Sequence, residues 1–419
     1  MKRNKAFKVR IYPTQKQKSF IDKTLGCTRF IYNQMLGERI QTCEELKDDR
    51  RKLYDFKYKT EKDYKQEFDF LKEADAKALQ QSRIDLSHAY TNFFNSLKGK
   101  RKGEKVGFPK FKKRKNGSSY RTINCNNYTD IQVSFDNSKI KLPKVGWIKF
   151  SDGRTELNGL IKSATVSKTC TGKYFVSILY EYDFEYEGME LTDDLKIKGL
   201  DCSLSNFYVD ELGNSPDYVK RYRKYEKKLA KAQRRVSRKQ KGSKNRHKAQ
   251  MKVNKIHEKI SSERDDFVQK LSTKLANEND VIVVENLSIK GIAKAMNFGK
   301  SMNDLGYSKF LHCLEYKMLD RNKLFVRADR FFASSKTCSY CGYVKKDLTL
   351  SDIEWECPSC KTKHNRDRNA GQNLVNYGFN FLGLMKPEVT PLEIKASELK
   401  DLSLIVEEGN KNQNYINLY

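Results

Sequence analysis

Two cysteine knuckles near the C-terminal end constrain this chain more than any other feature. They read Cys338-Ser-Tyr-Cys341-Gly and Cys357-Pro-Ser-Cys360, with fifteen residues between them. Two Cys-x-x-Cys pairs at this distance suit a tetrahedral zinc site, since each tight turn places two thiolates about 2.3 Å from a shared ion. Gly342 fits the first knuckle, where such a turn commonly needs positive φ. The other cysteines, Cys27, Cys43, Cys125, Cys170, Cys202 and Cys313, are scattered singly, as thiols are in a reducing compartment. Spacing therefore favours zinc over a pair of disulfides, and His364, with four thiolates available, is expected to serve the structure.

Lys and Arg total 83 against 53 acids, a net charge of +30. Such an excess speaks of partners rather than fold, and points to a polyphosphate or an anionic membrane. Only 38% of the 419 residues are hydrophobic, and no apolar run approaches the ~20 residues of a membrane span. The charged, alternating start, Met1-Lys-Arg-Asn-Lys-Ala-Phe, has no signal-peptide core. A cytoplasmic protein of two or three domains, bound to nucleic acid and associated with a bacterial nucleoid, is expected, with no membrane partner.

Phe7, Val9 and Ile11 alternate with Lys8 and Arg10, which predicts a strand ended by Pro13. Thr14-Gln-Lys-Gln17 has the form of a capping box and starts a helix carrying Phe20, Ile21, Leu25, Phe30, Ile31 and Met35. Helical sequence is expected to about residue 72. A second helix follows with Leu79, Leu86, Tyr90, Phe93 and Leu97 on one side, and then a basic loop over 98–115. From about 120 to 190 short alternating strands predict a small antiparallel barrel or sheet, which the first strand joins. The helices of 14–115 would then be an insertion in one domain.

A further hairpin is expected at 197–213. Residues 218–278 read as two antiparallel helices broken at Gly242-Ser243, and Val219–Lys259 holds eighteen Lys/Arg against two Glu. Eighteen like charges repel one another without a polyanion, so contact with phosphates is favoured over a solvated hairpin. Arg221, Arg223, Lys227, Arg234, Arg235 and Arg238 are candidate contacts. Asp280-Val-Ile-Val-Val-Glu285 reads as a buried parallel strand, as does Leu324-Phe-Val-Arg-Ala. Beyond Leu382 a loose polar tail is expected.

Three acids sit in suggestive settings. Asp201 ends or interrupts an apolar strand, Glu285 follows four apolar residues, and Asp367 opens a helix behind the ribbon. A carboxylate at a buried strand end is costly unless paired or bound to a cation. Three together would hold Mg²⁺, which prefers oxygen ligands. A lone Asp after a strand also serves as a cap, and a lone Glu there is often solvated; spacing does not show that the three converge.

Gly199-Leu-Asp201-Cys-Ser-Leu, Val283-Val-Glu285-Asn-Leu and Asn365-Arg-Asp367-Arg-Asn-Ala, with the knuckles between the last two, resemble the split RuvC nuclease of the TnpB family. TnpB proteins are transposon-encoded RNA-guided endonucleases related to compact type V CRISPR effectors. Tyr12-Pro-Thr-Gln, Arg29-Phe-Ile-Tyr-Asn33, Gly107-Phe-Pro-Lys-Phe111, Arg264-Asp-Asp-Phe-Val-Gln-Lys-Leu-Ser272 and Ser334-Ser-Lys-Thr-Cys338 resemble family motifs in the family's order.

The resemblance implies an α/β multidomain fold. An RNase H-like (RuvC) domain at 196–334 and 362–381 would carry a basic helical insertion at 218–278 and a zinc ribbon at 335–361. A wedge β-barrel at 1–13 and 116–195 would carry the helical recognition insertion 14–115, and 382–419 would be the tail. Asp201, Glu285 and Asp367 would bind catalytic Mg²⁺, two ions in such sites, and Cys338, Cys341, Cys357 and Cys360 structural Zn²⁺. Lys77 and Gln81 resemble residues that read a short target-adjacent DNA motif, and Gln can pair bidentately with adenine. The partners implied are a guide RNA and double- and single-stranded target DNA, with the protein a monomer. Asn365 stands where members often carry Asp, and Cys202 and Ser203 replace the usual Leu and Gly. Alternatives are an RNA-guided repressor weak in nuclease activity, a protein-only RuvC-type nuclease, and a compact CRISPR effector.

Overall fold

The computed structural model describes residues 2–384 except 102, 115–117, 126–127, 152–155, 186–187, 190–191, 193, 289–290, 292–303 and 350; of Arg50 it describes the backbone alone. The chain forms two compact units, Met1–Glu185 and Tyr186–Tyr419. The division precedes the 195/196 boundary that the resemblance implies, because Met189 and Leu195 already pack into the second unit's core.

The first unit is built on an antiparallel seven-stranded sheet. Its strands are β1 (Lys2–Tyr12), β2 (Ser118–Ile123), β3 (Gln132–Ser134), β4 (Lys139–Leu142), β5 (Gly146–Ser151), β6 (Leu160–Lys168) and β7 (Tyr174–Asp183), in the order β2-β6-β7-β1-β5-β4-β3. The alternation in β1 turns Phe7, Val9 and Ile11 inward against Ile140, Ile148, Val176 and Ile178. The sheet ends, β2 and β3, share no ladder among the described residues. Instead Asn124 ties them, its Nδ2 donating to the carbonyls of Ile131 and Ile161. The expected barrel is thus a sheet whose ends are joined by one side chain, with core residues from both ends in a single cluster.

Between β1 and β2 lie α1 (Gln15–Glu45), α2 (Arg50–Asp55), α3 (Glu61–Glu67), a short 3-10 turn (Asp69–Glu73) and α4 (Ala76–Leu97). Thr14 and Gln17 form the expected capping box of α1. The helical sequence to residue 72 is broken rather than continuous, because Asp49 caps α2 and Thr60 with Asp63 caps α3. Ile31 and Leu36 of α1 are buried against Leu71, Leu79 and Leu86. Leu97, expected on the buried side of α4, is 68% exposed.

The second unit contains β8 (Ile197–Ser203), β9 (Phe207–Asp210), α5 (Arg221–Ser237), α6 (Lys244–Glu278), β10 (Val281–Val284), α7 (Tyr307–Leu319), β11 (Leu324–Arg327), β12 (Glu354–Glu356), β13 (Lys363–Asn365) and α8 (Arg366–Phe381). Its main sheet has the order β11-β10-β8-β9, with β8, β10 and β11 parallel and β9 antiparallel to β8. Helices cover both faces, which is why Val281-Ile-Val-Val284 is apolar without alternation. Ile282 and Val284 face Val268 of α6 and Phe310 and Leu314 of α7, while Val281 and Val283 face Leu374 of α8. Helices α5 and α6 meet antiparallel around Leu229, Val236 and Val253, and the Tyr225 hydroxyl donates to Glu263 at 2.6 Å. Leu382 is buried and Leu384 packs beside it, so the first residues assigned to the tail belong to the core; residues 385–419 lie outside the described part. Among the described residues no helix is long and apolar enough to cross a membrane.

Candidate active site and metal centre

The parallel register of β8 and β10 pairs Leu200 with Val284. Asp201 is the next residue of β8 and Glu285 the first residue after β10, and the two share a hydrogen bond. Side chains alternate along β8, so Asp201 shares the face of Gly199, the face that α8 covers.

Glycine brings α8 close to this face. A Cβ on Gly199 would lie 2.1 Å from the carbonyl oxygen of Gly371, and one on Gly371 would lie 2.7 Å from the backbone carbon of Asp210. A Cβ on Gly378 would meet Val283 and Ile197 at 2.8 and 2.9 Å. Gly378 thus sits over the start of β8 and Gly371 over its middle, so α8 runs against the strand and its first turn arrives over Asp201. Asp367 occupies that turn. Asn365 is the N-cap, its Oδ1 accepting from the Arg368 N–H at 3.2 Å; Asn and Asp cap equally well, so this departure from the family pattern costs the helix nothing.

Both other acids bear on Asp201. The Asp201 carboxyl is held well above the usual carboxylate range, first by burial, then by the charge of Glu285, a hydrogen bond shared with it, and the charge of Asp367; Arg366 opposes this. Arg366 also donates to Asp367 at 3.3 Å. Glu285 accepts from the Ser334 hydroxyl at 2.5 Å. Carboxylates that disfavour one another's ionisation are eased by a cation, and oxygen donors are the type Mg²⁺ takes, but among the described residues only the knuckle cysteines bring three or more ligand atoms within 4.8 Å of one another. Cys202 alternates to the opposite face, hydrogen-bonded to buried Tyr307.

The four knuckle sulfurs form a tighter cluster, all within 4.8 Å of one another. The Cys338–Cys360 and Cys341–Cys357 sulfurs are 3.6 and 3.5 Å apart. A disulfide needs about 2.05 Å; sulfurs at tetrahedral corners about 2.3 Å from one ion stand roughly 3.8 Å apart. The donor set fits zinc. Both knuckles close alike: the Gly342 N–H donates to Cys338 O and the Lys361 N–H to Cys357 O, each at 2.9 Å. Lys361, at φ 59°, is the counterpart of Gly342 at 75°, and its identity gave no sign of the positive φ. Hydrogen bonding with Thr362 pushes the Cys360 thiol down to about 6, toward the thiolate a metal takes, while burial pushes Cys338 up to about 12. His364 stands 3.0 Å from the Cys338 sulfur, with its ring against Trp355.

The candidate nucleic-acid contacts divide. Lys227, Arg234, Arg235 and Arg238 are exposed on α5 and the residue after it. Arg223 is exposed beside Glu226 at 3.6 Å. Arg221 differs: it is half-buried over the Phe267 ring at 4.5 Å, and it braces the base of the hairpin. Lys77 is half-buried in the first turn of α4. Gln81 is 5% exposed and its amide donates to Asp85, so it is not open to a base in this conformation. Sequence reasoning missed Gly371, Gly378, Asn369 and Asn373; only their recurrence along α8 hinted at a face in close contact.

Known families match along the chain: one described as "Probable transposase" over residues 178–296, a "Helix-turn-helix domain" over 1–48, and a "Cas12f1-like, TNB domain" over 307–374. The 1–48 segment is here a strand and one long helix. A Streptomyces pristinaespiralis protein named "Putative RNA-guided DNA endonuclease" is 33% identical over 89% of each chain. An Escherichia coli K12 protein named "Putative RNA-guided DNA endonuclease InsQ" is 28% identical over 95% of this chain and 99% of its own. A structure titled "Cryo-EM structure of the Cas12f1-sgRNA-target DNA complex" aligns over 90% of this chain and 99% of that one, at 13% identity and a TM-score of 0.47. Proteins named "TnpB-like", among them one from Acanthamoeba polyphaga mimivirus, match 30% of the chain at 29% identity. With a third of its residues shared with a relative along nearly the whole length of both, and with the motifs in order, this chain belongs to the TnpB family.

Proposed function

We propose that the protein is an RNA-guided DNA endonuclease whose second unit is an RNase H-like nuclease domain and whose first unit holds guide RNA and reads a target-adjacent motif. The observation that carries the reading is that Asp201 of β8 feels both Glu285, just past β10, and Asp367 in the first turn of the helix covering the sheet, three acids from distant segments. The names of relatives matched over nine-tenths of the chain support the substrate class. Asp201, Glu285 and Asp367 are the residues that would hold Mg²⁺, which would supply an activated water and charge stabilisation at the leaving 3′ oxygen of a phosphodiester. The acids fix the cutting position, Arg366 steadies Asp367, and the four cysteines hold zinc for structure.

Target sequence is read by base pairing to the guide, so the protein grips backbone, as the exposed cations of α5 can. The test purifies the full-length protein from its native locus, sequences the RNA bound to it, and offers DNA matching that RNA. Cleavage should require the RNA and Mg²⁺. Asp201→Ala should abolish it while RNA-directed DNA binding stays nearly intact. A variant that cuts at the wild-type rate would remove the catalytic assignment.

A further inference from the structure

The turn that leads from β11 into the first knuckle is tied to α8 by a ladder of asparagines. Asn369, Asn373 and Asn376 lie on one side of the helix, and the first two are 2% and 3% exposed. Asn373 Nδ2 donates to the Ser334 carbonyl at 2.7 Å and the Thr337 carbonyl at 2.6 Å. Asn369 Nδ2 donates to the same Thr337 carbonyl at 2.7 Å and its Oδ1 accepts from the Ser339 N–H at 3.0 Å. Asn376 Nδ2 donates to the Ser339 carbonyl at 3.2 Å. The turn's backbone is thereby satisfied from the helix, and the hydroxyl of Ser334, itself 3% exposed, is left to reach Glu285.

We propose that Ser334 is a positioning residue for the nuclease site: clamped by Asn373, it donates to Glu285 and holds that carboxylate toward Asp201 and Asp367. Glu285 follows the last laddered residue of β10, Val284, so the strand does not fix its side chain. Its long side chain would lose rotamer freedom on ordering. A donor already immobilised in a rigid turn lowers that cost at the moment of metal binding. The helix that carries Asp367 also fixes Ser334, so two of the three acids are set by one element. The same turn runs into Cys338, which places the ribbon and the acids on a common hydrogen-bonded support.

The inference rests on the carboxylate site proposed above, and the experiment separates the two. In the full-length protein with its co-purified RNA, DNA cleavage is followed against Mg²⁺ concentration for wild type, Ser334→Ala, Ser334→Thr and Glu285→Ala. Binding of Mn²⁺ is counted in parallel from the loss of the free-ion EPR signal, relative to an Asp201→Ala reference. Partners that orient a metal ligand are commonly worth about 10-fold or more in affinity. Ser334→Ala should therefore raise the half-saturating Mg²⁺ about 10-fold and weaken the Asp201-dependent Mn²⁺ binding, with a smaller effect on the rate at saturating Mg²⁺. Ser334→Thr keeps the donor and should return the half-saturating Mg²⁺ to near wild type. If Glu285→Ala is dead while Ser334→Ala shows wild-type Mg²⁺ dependence and Mn²⁺ binding, the positioning role is overturned and the catalytic site stands. A folded Ser334→Thr that behaves like Ser334→Ala also overturns it. If Glu285→Ala cuts as wild type does, the site itself is wrong and Ser334 falls with it.

Discussion

A single missing Cβ sets the distance between the helix and the strand that carry two of the acids. At Gly199 the added carbon would meet a backbone oxygen at 2.1 Å, and backbone cannot swing aside as a side-chain tip can. Gly199→Ala should cost at least about 2 kcal/mol of stability, the upper range of overpacking, and should lower cleavage further by lifting α8 from β8. Gly26, inside α1, meets nothing within 4 Å. Gly26→Ala should instead raise stability by about 0.5–1 kcal/mol, because alanine removes the entropy cost of glycine in a helix. Thermal or urea midpoints of the two variants check both signs, and equal effects would refute the argument from close approach.

At the scale of elements, the α5–α6 hairpin shows how far charge can be read alone. Its apolar seam of Leu229, Val236 and Val253 is thin, and the rest of α5 is largely Lys and Arg. Arg221, braced on Phe267, belongs to the support, whereas Arg234, Arg235 and Arg238 stand exposed. Replacing these three by Gln should reduce the slope of log affinity against log salt by about one for each phosphate that is no longer neutralised. Affinity for matched and unmatched targets should fall alike, since backbone contacts carry no sequence information. An unchanged salt slope in binding measurements would show that this face meets no phosphate. By contrast, Arg221→Gln should act mainly on the stability of the hairpin.

For the whole molecule, stability is divided between two compact units with separate cores. Among the described residues the ribbon's apolar cluster is small: Leu348 and Trp355 packed with Cys338 and Cys357, with Cys360 against them. So small a cluster needs its ion, and binding free energy there is folding free energy. Chelation of zinc, or Cys357→Ser, should therefore open residues 338–364 to rapid amide exchange and lower the unfolding temperature of the second unit. The amides of β1 should keep their protection. Metal analysis should return one zinc per chain, absent from the variant; a ribbon that stays protected without metal would refute this role.

Much of this protein is determined by neighbours in sequence and was legible there: the two knuckles, the Thr14–Gln17 capping box, the inward alternation of β1, the break at Gly242-Ser243 and the unrelieved apolar run of β10. Each depends on residues within a few positions of one another, where periodicity and turn chemistry act directly. The chemistry of Asp201, Glu285 and Asp367 could be suspected from resemblance, but their meeting depended on the parallel register of β8 with β10 and on the closeness of α8 at Gly199, Gly371 and Gly378. Those are contacts between segments far apart in the chain, and no local pattern encodes a register or an approach distance. For the same reason Gln81 resembles a base-reading residue in the sequence and is buried in the fold, and the motif that begins at Ser334 gives no sign of the hydroxyl's partner until folding puts it against Glu285.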